Sequence, residues 1–450
     1  MLDIKFIKEN VQAVKQAVQN KKVQPKVDVD ELIKTHEEVR ELEDEVIAAR
    51  TMQNELTDKI KFAKDDEERK ISIQEATSIK EEFKSKENSL KELQEKFMQM
   101  MLLVPNVTSP EMPVGKDDSG NVVVSKWGEI PEFDFEPKDH VELGEKLDLI
   151  EIDRAAEVSG SRFYYLKNEA VLMQFGIIQF VLKTLMDEKV LAEIAKEAGS
   201  PFNKVFQPVL PPVLMKPEIM KKMDRLDPQD ERYLIKNDDL VLVGSAEHTL
   251  GPLLMDTTLN EEDLPIRYIG YSTAFRRESG SYGKDVRGIL RVHQFDKLEM
   301  ESFVPAEFGE VEQKFILGIQ QYLVQKLGLP YQVLQICTGD TGKPDYNQFD
   351  IECWIPSQKK YRETHTSDYM TDFQARRLNI KYKVKQSDKA KQGDKVKNSE
   401  KKYAHMNDAT AFAISRTLIA ILENYQQADG SVKVPEVLVP YVGKDLINRG

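Results

Sequence analysis

Two adjacent arginines, Arg276 and Arg277, are followed by Glu278, and the returning part of the same segment carries Val292, Phe295, Lys297 and Glu299. This mixture suits a nucleotide pocket. An arginine can hold a phosphate or carboxylate through two parallel charged hydrogen bonds, and an aromatic ring offers a plate on which a purine stacks. If the segment is two antiparallel strands joined by a loop at 279–288, side chains of like parity share a face, and Arg276 and Glu278 converge with Phe295, Lys297 and Glu299. The same residues, taken alone, fit a solvated charged edge hairpin. A further arginine, Arg416, sits among Ala411, Ile414, Leu418, Ile421 and Leu422, whose spacing predicts an apolar helix over 409–426. A guanidinium embedded there requires an anion or a carboxylate partner.

The rest of the chain must position these groups. With 450 residues it is long enough for two or three domains and a large core. A formal charge of −13 argues against indiscriminate coating of nucleic acid, so any polyanion must meet local basic patches. The two cysteines, Cys337 and Cys353, have neither CxxC spacing nor a neighbouring histidine set. Neither zinc nor a disulfide framework is expected, and a reducing compartment is. The most apolar stretch, Val171–Leu182, contains Gln174 and Gln179 and falls short of the ~18 residues of a membrane span. The opening MLDIKFIKEN is charged from its third residue, unlike a cleavable leader, so a soluble cytoplasmic protein is expected.

The first hundred residues lack glycine and tryptophan and are dense in Glu, Lys and Gln. Leu32, Val39, Val46, Gln53 and Ile60 form one heptad seam, and Thr35, Leu42, Ala49, Leu56 and Ala63 the other. A second helix carries Ala76, Phe83, Leu90 and Phe97, with Ile79, Leu93 and Met100 interleaved and Lys86 as the break. The acidic stretch 65–68 is the expected turn of an antiparallel coiled pair about 50 Å long. Lys59, Lys61, Lys64, Arg69 and Lys70 lie near its tip. A spacer or dimerisation coil and an interaction limb both fit this pattern. The expected organisation is a helical arm over 1–104, a Pro- and Gly-containing linker over 105–126 and a mixed domain over 127–450.

In that last domain helices are expected over 144–157 and 168–196, and strands at 239–244, 266–272, 289–292, 332–337 and 348–355. The strands lack regular crossover helices, so an α+β fold with an antiparallel sheet is favoured over a doubly wound one. Lys381–Lys402 carries nine lysines and almost nothing apolar, which predicts a solvated loop between two strands. A loop touching phosphate is the other reading.

With these pieces in order, the chain resembles the bacterial seryl-tRNA synthetases, class II aminoacyl-tRNA ligases. The resemblance rests on MLDIKFIKEN, the coiled arm, GSAEH at Gly244–His248, FRRESGSYGKDVRG with RVHQFDKLE, YRETHTSDYMTDFQARR at Tyr361–Arg377, and AISRTLIAILENYQQADG with VPEVLVPY. Several motifs in matching order carry far more than one short pattern. The resemblance implies a class II antiparallel sheet of six or seven strands flanked by helices, a homodimer, and an arm that grips tRNA(Ser), with the Lys59–Lys70 group as contacts. It also implies an ATP-dependent ligase that forms seryl-adenylate and charges tRNA(Ser), and tRNA(Sec) where that exists, with Mg²⁺ as cofactor.

Roles follow by position. Arg276 resembles the motif 2 arginine that clamps the α-phosphate and the amino-acid carboxylate. Glu278 is similar to the residue receiving the adenine amino group, Phe295 to the one stacking beneath adenine, and Arg277 and Val292 to members of the nucleotide contact set. Arg416 resembles the motif 3 arginine on the γ-phosphate. Glu363, Thr364, His365 and Thr366 resemble the ATP-contacting segment, with Glu363 a Mg²⁺ ligand. Serine would be read by Ser245, Ala246, Glu247, Arg276, Glu299 and Thr410. His293 is expected to be structural, because adenylation needs placement and charge rather than proton abstraction.

The chain departs from the family at Ser245, where threonine is usual, at Asp368-Tyr369 and Asp408-Ala409 in place of Ser-Asn and Asn-Gly-like pairs, and in the length of the lysine insertion. Motif 1, the dimer-forming element, is least distinct, in the helix near 168–196 and FQPVLPPVLM at Phe206–Met215. Two other readings are a paralogue that loads serine onto a carrier protein and a non-catalytic relative. The coiled arm argues against the first. The retained Arg276, Glu278, Glu299, Glu363 and Arg416 argue against the second.

Overall fold

The structure is a computed structural model and describes residues 1–279, 287–385 and 400–449. It divides into two compact units, Met1–Val107 and Thr108–Gly450. In the first, two short helices, Ile4–Glu9 and Val11–Asn20, precede two long ones, α1 (Val29–Phe62) and α2 (Asp66–Leu103). Asp28 caps α1 by accepting from the N–H groups of Asp30 and Glu31. Leu32, Thr35, Val39, Ala49 and Leu56 are buried along the expected seam, and Phe83, Leu90, Leu93 and Phe97 are half-buried opposite. Lys86 stays in the seam by pairing with Glu45 at 3.2 Å and Glu82 at 2.9 Å. The acidic stretch is not the turn itself. It opens α2 at Asp66, where the helix dipole favours negative charge.

The second unit is built on an eight-stranded sheet. Its strands are β1 (Val122–Trp127), β2 (Gln207–Val209), β3 (Ile266–Phe275), β4 (Gln294–Val304), β5 (Tyr331–Gln335), β6 (Asn347–Ile355), β7 (Lys360–Thr371) and β8 (His405–Ala413). Their order is β1-β5-β6-β7-β8-β4-β3-β2, antiparallel throughout except for β2 beside β3. One face packs on the helices α3 (Asn168–Leu185), α4 (Glu188–Ala198), α5 (Gly309–Lys326) and α6 (Ile414–Asn424). Leu298 and Met300 of β4 point into this core, so Lys297, Glu299 and Glu301 point to the other face. From the helical side, Gln313 and Gln320 of α5 donate to the carbonyls of Asn347, Ser367, Thr366 and Thr410 at 2.7–3.0 Å, fixing the centre of the sheet. Arg267 of β3 and Glu312 of α5 form a fully buried bidentate pair at 2.7 Å.

Several elements differ from the sequence expectation. The 289–292 run is not a strand, because Ile289, Leu290 and Val292 fill the core from an unpaired segment. The helix expected from 409 starts at Ile414, since Ala409–Ala413 complete β8, a central strand whose apolar residues mimic helical spacing. The 168–196 helix breaks into α3 and α4 where Asp187 caps the N–H groups of Lys189 and Val190. The 144–157 helix is two short helices, His140–Lys146 and Asp153–Ser159, around the strand Ile150–Glu151. The 239–244 strand, Leu240–Leu242, belongs to a separate three-stranded sheet. Residues 122–126, read as the end of a linker, pair with β5 as the edge strand β1. The lysine segment begins and ends in paired strands, Lys381–Lys383 and Lys401–Tyr403, and its residues 386–399 lie outside the described residues.

Candidate active site

The face of the sheet opposite the core helices floors a cleft of about 630 Å³ and an adjoining smaller pocket. Arg276, Glu278, Lys297, Glu363, Thr366 and Arg416 line both. Arg276 follows the end of β3, its backbone N–H donating to the His293 carbonyl at 3.0 Å and its Nε to the Gly244 carbonyl at 3.1 Å. Its guanidinium carbon lies 5.4 Å from the centre of the Phe295 ring. Glu278 does not reach the cleft by strand parity. Its φ of +51° turns the chain after β3 ends, and Arg162 holds its carbonyl at 3.0 Å. Most of the loop expected between the strands, 280–286, lies outside the described residues.

The strand β7 carries the opposite wall. Against β6, Ile351 pairs with His365 and Glu352 with Glu363, leaving Thr364 as an extra residue in a β-bulge. Glu363 and Thr366 therefore share the cleft side, while Thr364 and His365 turn their side chains inward. The Thr364 hydroxyl donates to the Ile351 carbonyl at 3.1 Å and lies 2.7 Å from His365 Nδ1. His365 is buried edge-on against Phe412, and burial pushes its imidazole down to about 3. Of the four residues 363–366, Glu363 and Thr366 line both cavities, Thr364 borders the smaller one and His365 neither.

Arg416, two residues into α6, finds its carboxylate partner in Glu363. Its NH1 donates to the Glu363 carbonyl at 3.0 Å and to Oε1 at 2.9 Å. Desolvation pushes the Glu363 carboxyl up, but Arg416 and then Arg276 outweigh it and hold it below its ordinary value. The two arginines, far apart in sequence, act on one acid in one cleft.

At the inner end, Glu299 is fully buried. Its Oε2 accepts from Ser245 Oγ at 2.9 Å and lies 2.6 Å from Lys297 Nζ, and its Oε1 faces the Thr410 hydroxyl at 3.4 Å. Burial raises its carboxyl, with Lys297 opposing. Glu247, in the helix Glu247–Leu250, pairs with Arg225 Nε at 2.6 Å, and Ala246 is buried beneath it. His293 bonds the Arg276 carbonyl at 3.0 Å, a structural position. Arg277 lines neither cavity; its N–H donates to the Glu231 carbonyl.

Sequence reasoning missed Arg225, Arg232 and Arg291, which also line the cleft. Arg225 and Arg232 come from segments that carry no local pattern, whereas Arg291 opens the RVHQFDKLE motif and was passed over there. Lys297 stands on the face of Glu299, where its parity placed it, and lines both cavities. The tip residues Lys59, Lys61, Lys64, Arg69 and Lys70 are all exposed in the first unit.

The comparisons with known proteins agree with this geometry. Residues 232–425 match the tRNA synthetase class II core domain (G, H, P, S and T), and residues 1–108 the seryl-tRNA synthetase N-terminal domain. The chain is 38% identical to the serine–tRNA ligase of Rubrobacter xylanophilus, with 99% of each chain covered, and 38% identical to that of Dictyoglomus turgidum, with 98% of each covered. Its fold matches the seryl-tRNA synthetase of Pyrococcus horikoshii, solved with ATP, at a TM-score of 0.87 and 34% identity over the whole of both chains. Matched at both ends and along its full length, the chain belongs to the seryl-tRNA synthetase family of class II aminoacyl-tRNA synthetases.

Proposed function

We propose that the cleft joins L-serine to ATP, giving seryl-adenylate and diphosphate, and then transfers the seryl group to the 3′-terminal adenosine of tRNA(Ser), and of tRNA(Sec) where that exists. The observation that carries this reading is the convergence of Arg276 and Arg416 on one cleft whose inner end is the buried Glu299. In the first step a serine carboxylate oxygen attacks the α-phosphorus and the bond to diphosphate breaks. Arg276 places both partners, so the reaction starts from an aligned pair. Arg416 meets the charge that moves onto the leaving phosphates, which favours the transition state over the ground state. Glu278 receives the adenine amino group, and Phe295 and Val292 hold the ring. Thr364 and His365 support Glu363 and Thr366 from the core side, and Arg277 acts through its backbone.

Glu363 and Arg416 neutralise one another before ATP arrives. Triphosphate offers Arg416 a stronger anion, which releases the Glu363 carboxylate. Asp350 and Glu352 lie on the neighbouring strand, and burial together with Glu363 pushes the Asp350 carboxyl well above its ordinary value. This hard-oxygen set suits Mg²⁺, with Glu363 as ligand. When bound, the ion neutralises phosphate charge. Glu299 and Thr410 read the serine hydroxyl, and Ser245 and Glu247 its amino end.

The α1–α2 pair is the limb for tRNA(Ser), with the basic residues at its tip meeting phosphate. A homodimer is supported by apolar side chains exposed around α3, including Phe175 at 55% and Leu210 at 79%. No single helix among the described residues is long and apolar enough to cross a membrane, and two buried free cysteines suit a reducing cytoplasm.

The test is ATP–diphosphate exchange with each of the twenty amino acids, followed by charging of total tRNA. Serine should support both. No exchange with serine would end the reading, and exchange without charging would favour a carrier-loading paralogue.

A further inference from the structure

One row deeper than Glu299 the sheet carries a second set of acids. Glu301 of β4 lies directly opposite Asp408 of β8, and Asp408 lies directly opposite Asp368 of β7. Three carboxyl side chains thus stand side by side on the cleft face of three adjacent strands. They are 0%, 1% and 8% exposed. Like charges facing one another across strands destabilise a sheet, and buried carboxylates need partners. Glu247 and Glu299 approach the same place from above. One oxygen from each of Glu247, Glu299 and Asp408 lies within 4.8 Å of the others.

The neighbouring cations do not balance this group. Arg225 takes Glu247 at 2.6 Å and reaches Asp408 Oδ2 at 3.4 Å, and Lys297 takes Glu299 at 2.6 Å. Arg225 and Lys297 are the cations paired with these five carboxyl groups, and Arg232 acts on Glu247 from farther off. Asp408 Oδ1 has no hydrogen-bond partner among the described residues, and neither has either oxygen of the fully buried Glu301. Glu301 is close enough to Asp408, Glu247 and Glu299 to feel each of their charges.

The geometry points to a resident divalent cation held by Glu247, Glu299 and Asp408 beneath the serine end of the cleft, with Glu301 completing its charge balance. The site is separate from Glu363, where the metal that accompanies ATP is placed. An all-oxygen, all-carboxylate set selects a hard ion such as Mg²⁺, Mn²⁺ or Ca²⁺ over zinc. Asp408 offers Oδ1, the oxygen that Arg225 does not take. The ion would let the floor remain ionised and ordered, so that Glu299 stays an acceptor for the substrate hydroxyl.

The test uses the whole protein, without ATP or serine, so that it does not depend on the proposed activity. Metal content is measured on protein as purified, and thermal unfolding is followed after EDTA treatment and dialysis, with and without MgCl₂, MnCl₂ or CaCl₂. One hard cation per chain is expected, and a rise in Tm of roughly 3 °C at a hundredfold excess over Kd. Asp408→Asn, isosteric and less charged, should fold and lose the rise, Glu301→Gln should weaken it, and Glu363→Gln should keep it. The proposal fails if wild-type protein is metal-free and its Tm ignores all three ions. It also fails if Glu363→Gln, and not Asp408→Asn, removes the response, since the ion would then sit at the ATP end. A metal-free protein that supports diphosphate exchange better with 2,3-diaminopropionate than with serine would overturn it too, because the missing cation would then be a substrate ammonium group.

Discussion

Arg416 and Glu363 are joined by two hydrogen bonds from a single guanidinium nitrogen, and the proposed chemistry begins by separating them. Arg416→Ala should therefore lower the turnover of ATP–diphosphate exchange by about 10²–10³-fold while changing the serine KM little. Comparable losses in turnover and in serine affinity would remove the γ-phosphate role. At the other end, the Thr410 hydroxyl faces both Glu299 and Thr366, at 3.4 and 3.3 Å. Thr410→Val should cost roughly 1–3 kcal/mol of discrimination between serine and alanine, read as the ratio of their kcat/KM values. Residue types announced much of this site. Arg276, Glu278, Phe295, Glu299 and Arg416 stood out as charged or aromatic groups in motifs, and they do share one cavity or its floor. Arg225 did not, because its partners Glu247 and Asp408 come from distant segments and only the folded sheet brings them within reach.

At the scale of elements, α3 is tied at its start to the C-terminal residues. Glu169 accepts from Arg449 at 2.8 Å and Lys444 at 2.7 Å, and this pairing holds its carboxyl down to about 2. A folded-state pKa below the unfolded value of about 4.5 means the stabilisation is present above pH 4.5 and is lost as pH falls toward 2. Glu169→Gln should destabilise by about 2 kcal/mol at pH 7 in urea unfolding, with the gap to wild type closing between pH 4.5 and 2. A gap independent of pH would show that packing, not charge, holds the junction. Heptad spacing made α1 and α2 legible almost residue by residue, since a two-helix seam is a one-dimensional pattern. Strands were harder. The twelve-residue β7 was not anticipated as one element, because its polar, aromatic and charged residues serve two different faces and give no simple alternation.

For the whole molecule, charge is the informative quantity. A chain of net charge −13 is expected to bind a polyanion only through local basic groups, here the exposed tip of the α1–α2 pair. Reversing Lys59, Lys61, Lys64, Arg69 and Lys70 to glutamate should raise the KM for tRNA(Ser) more than tenfold and reduce the steepness of its salt dependence, with diphosphate exchange unchanged. Charging that is indifferent to these reversals would take the tip out of the contact. The antiparallel class of the sheet was legible from the absence of crossover helices. Its width and order were not, since the edge strands β1 and β2 are short, and one of them was disguised as linker.

The extra residue at Thr364 has a consequence for how this enzyme can change. A β-strand normally allots odd and even positions to opposite sides, and here the allotment switches once, between an acid that faces nucleotide and a histidine that faces the interior. Losing the extra residue would restore a regular ladder, with Glu363 still opposite Glu352 and His365 still opposite Ile351, so neither group would change sides. Gaining one more residue there would instead turn either the acid or the imidazole to the wrong face, so this stretch of the strand should tolerate a loss more readily than a gain.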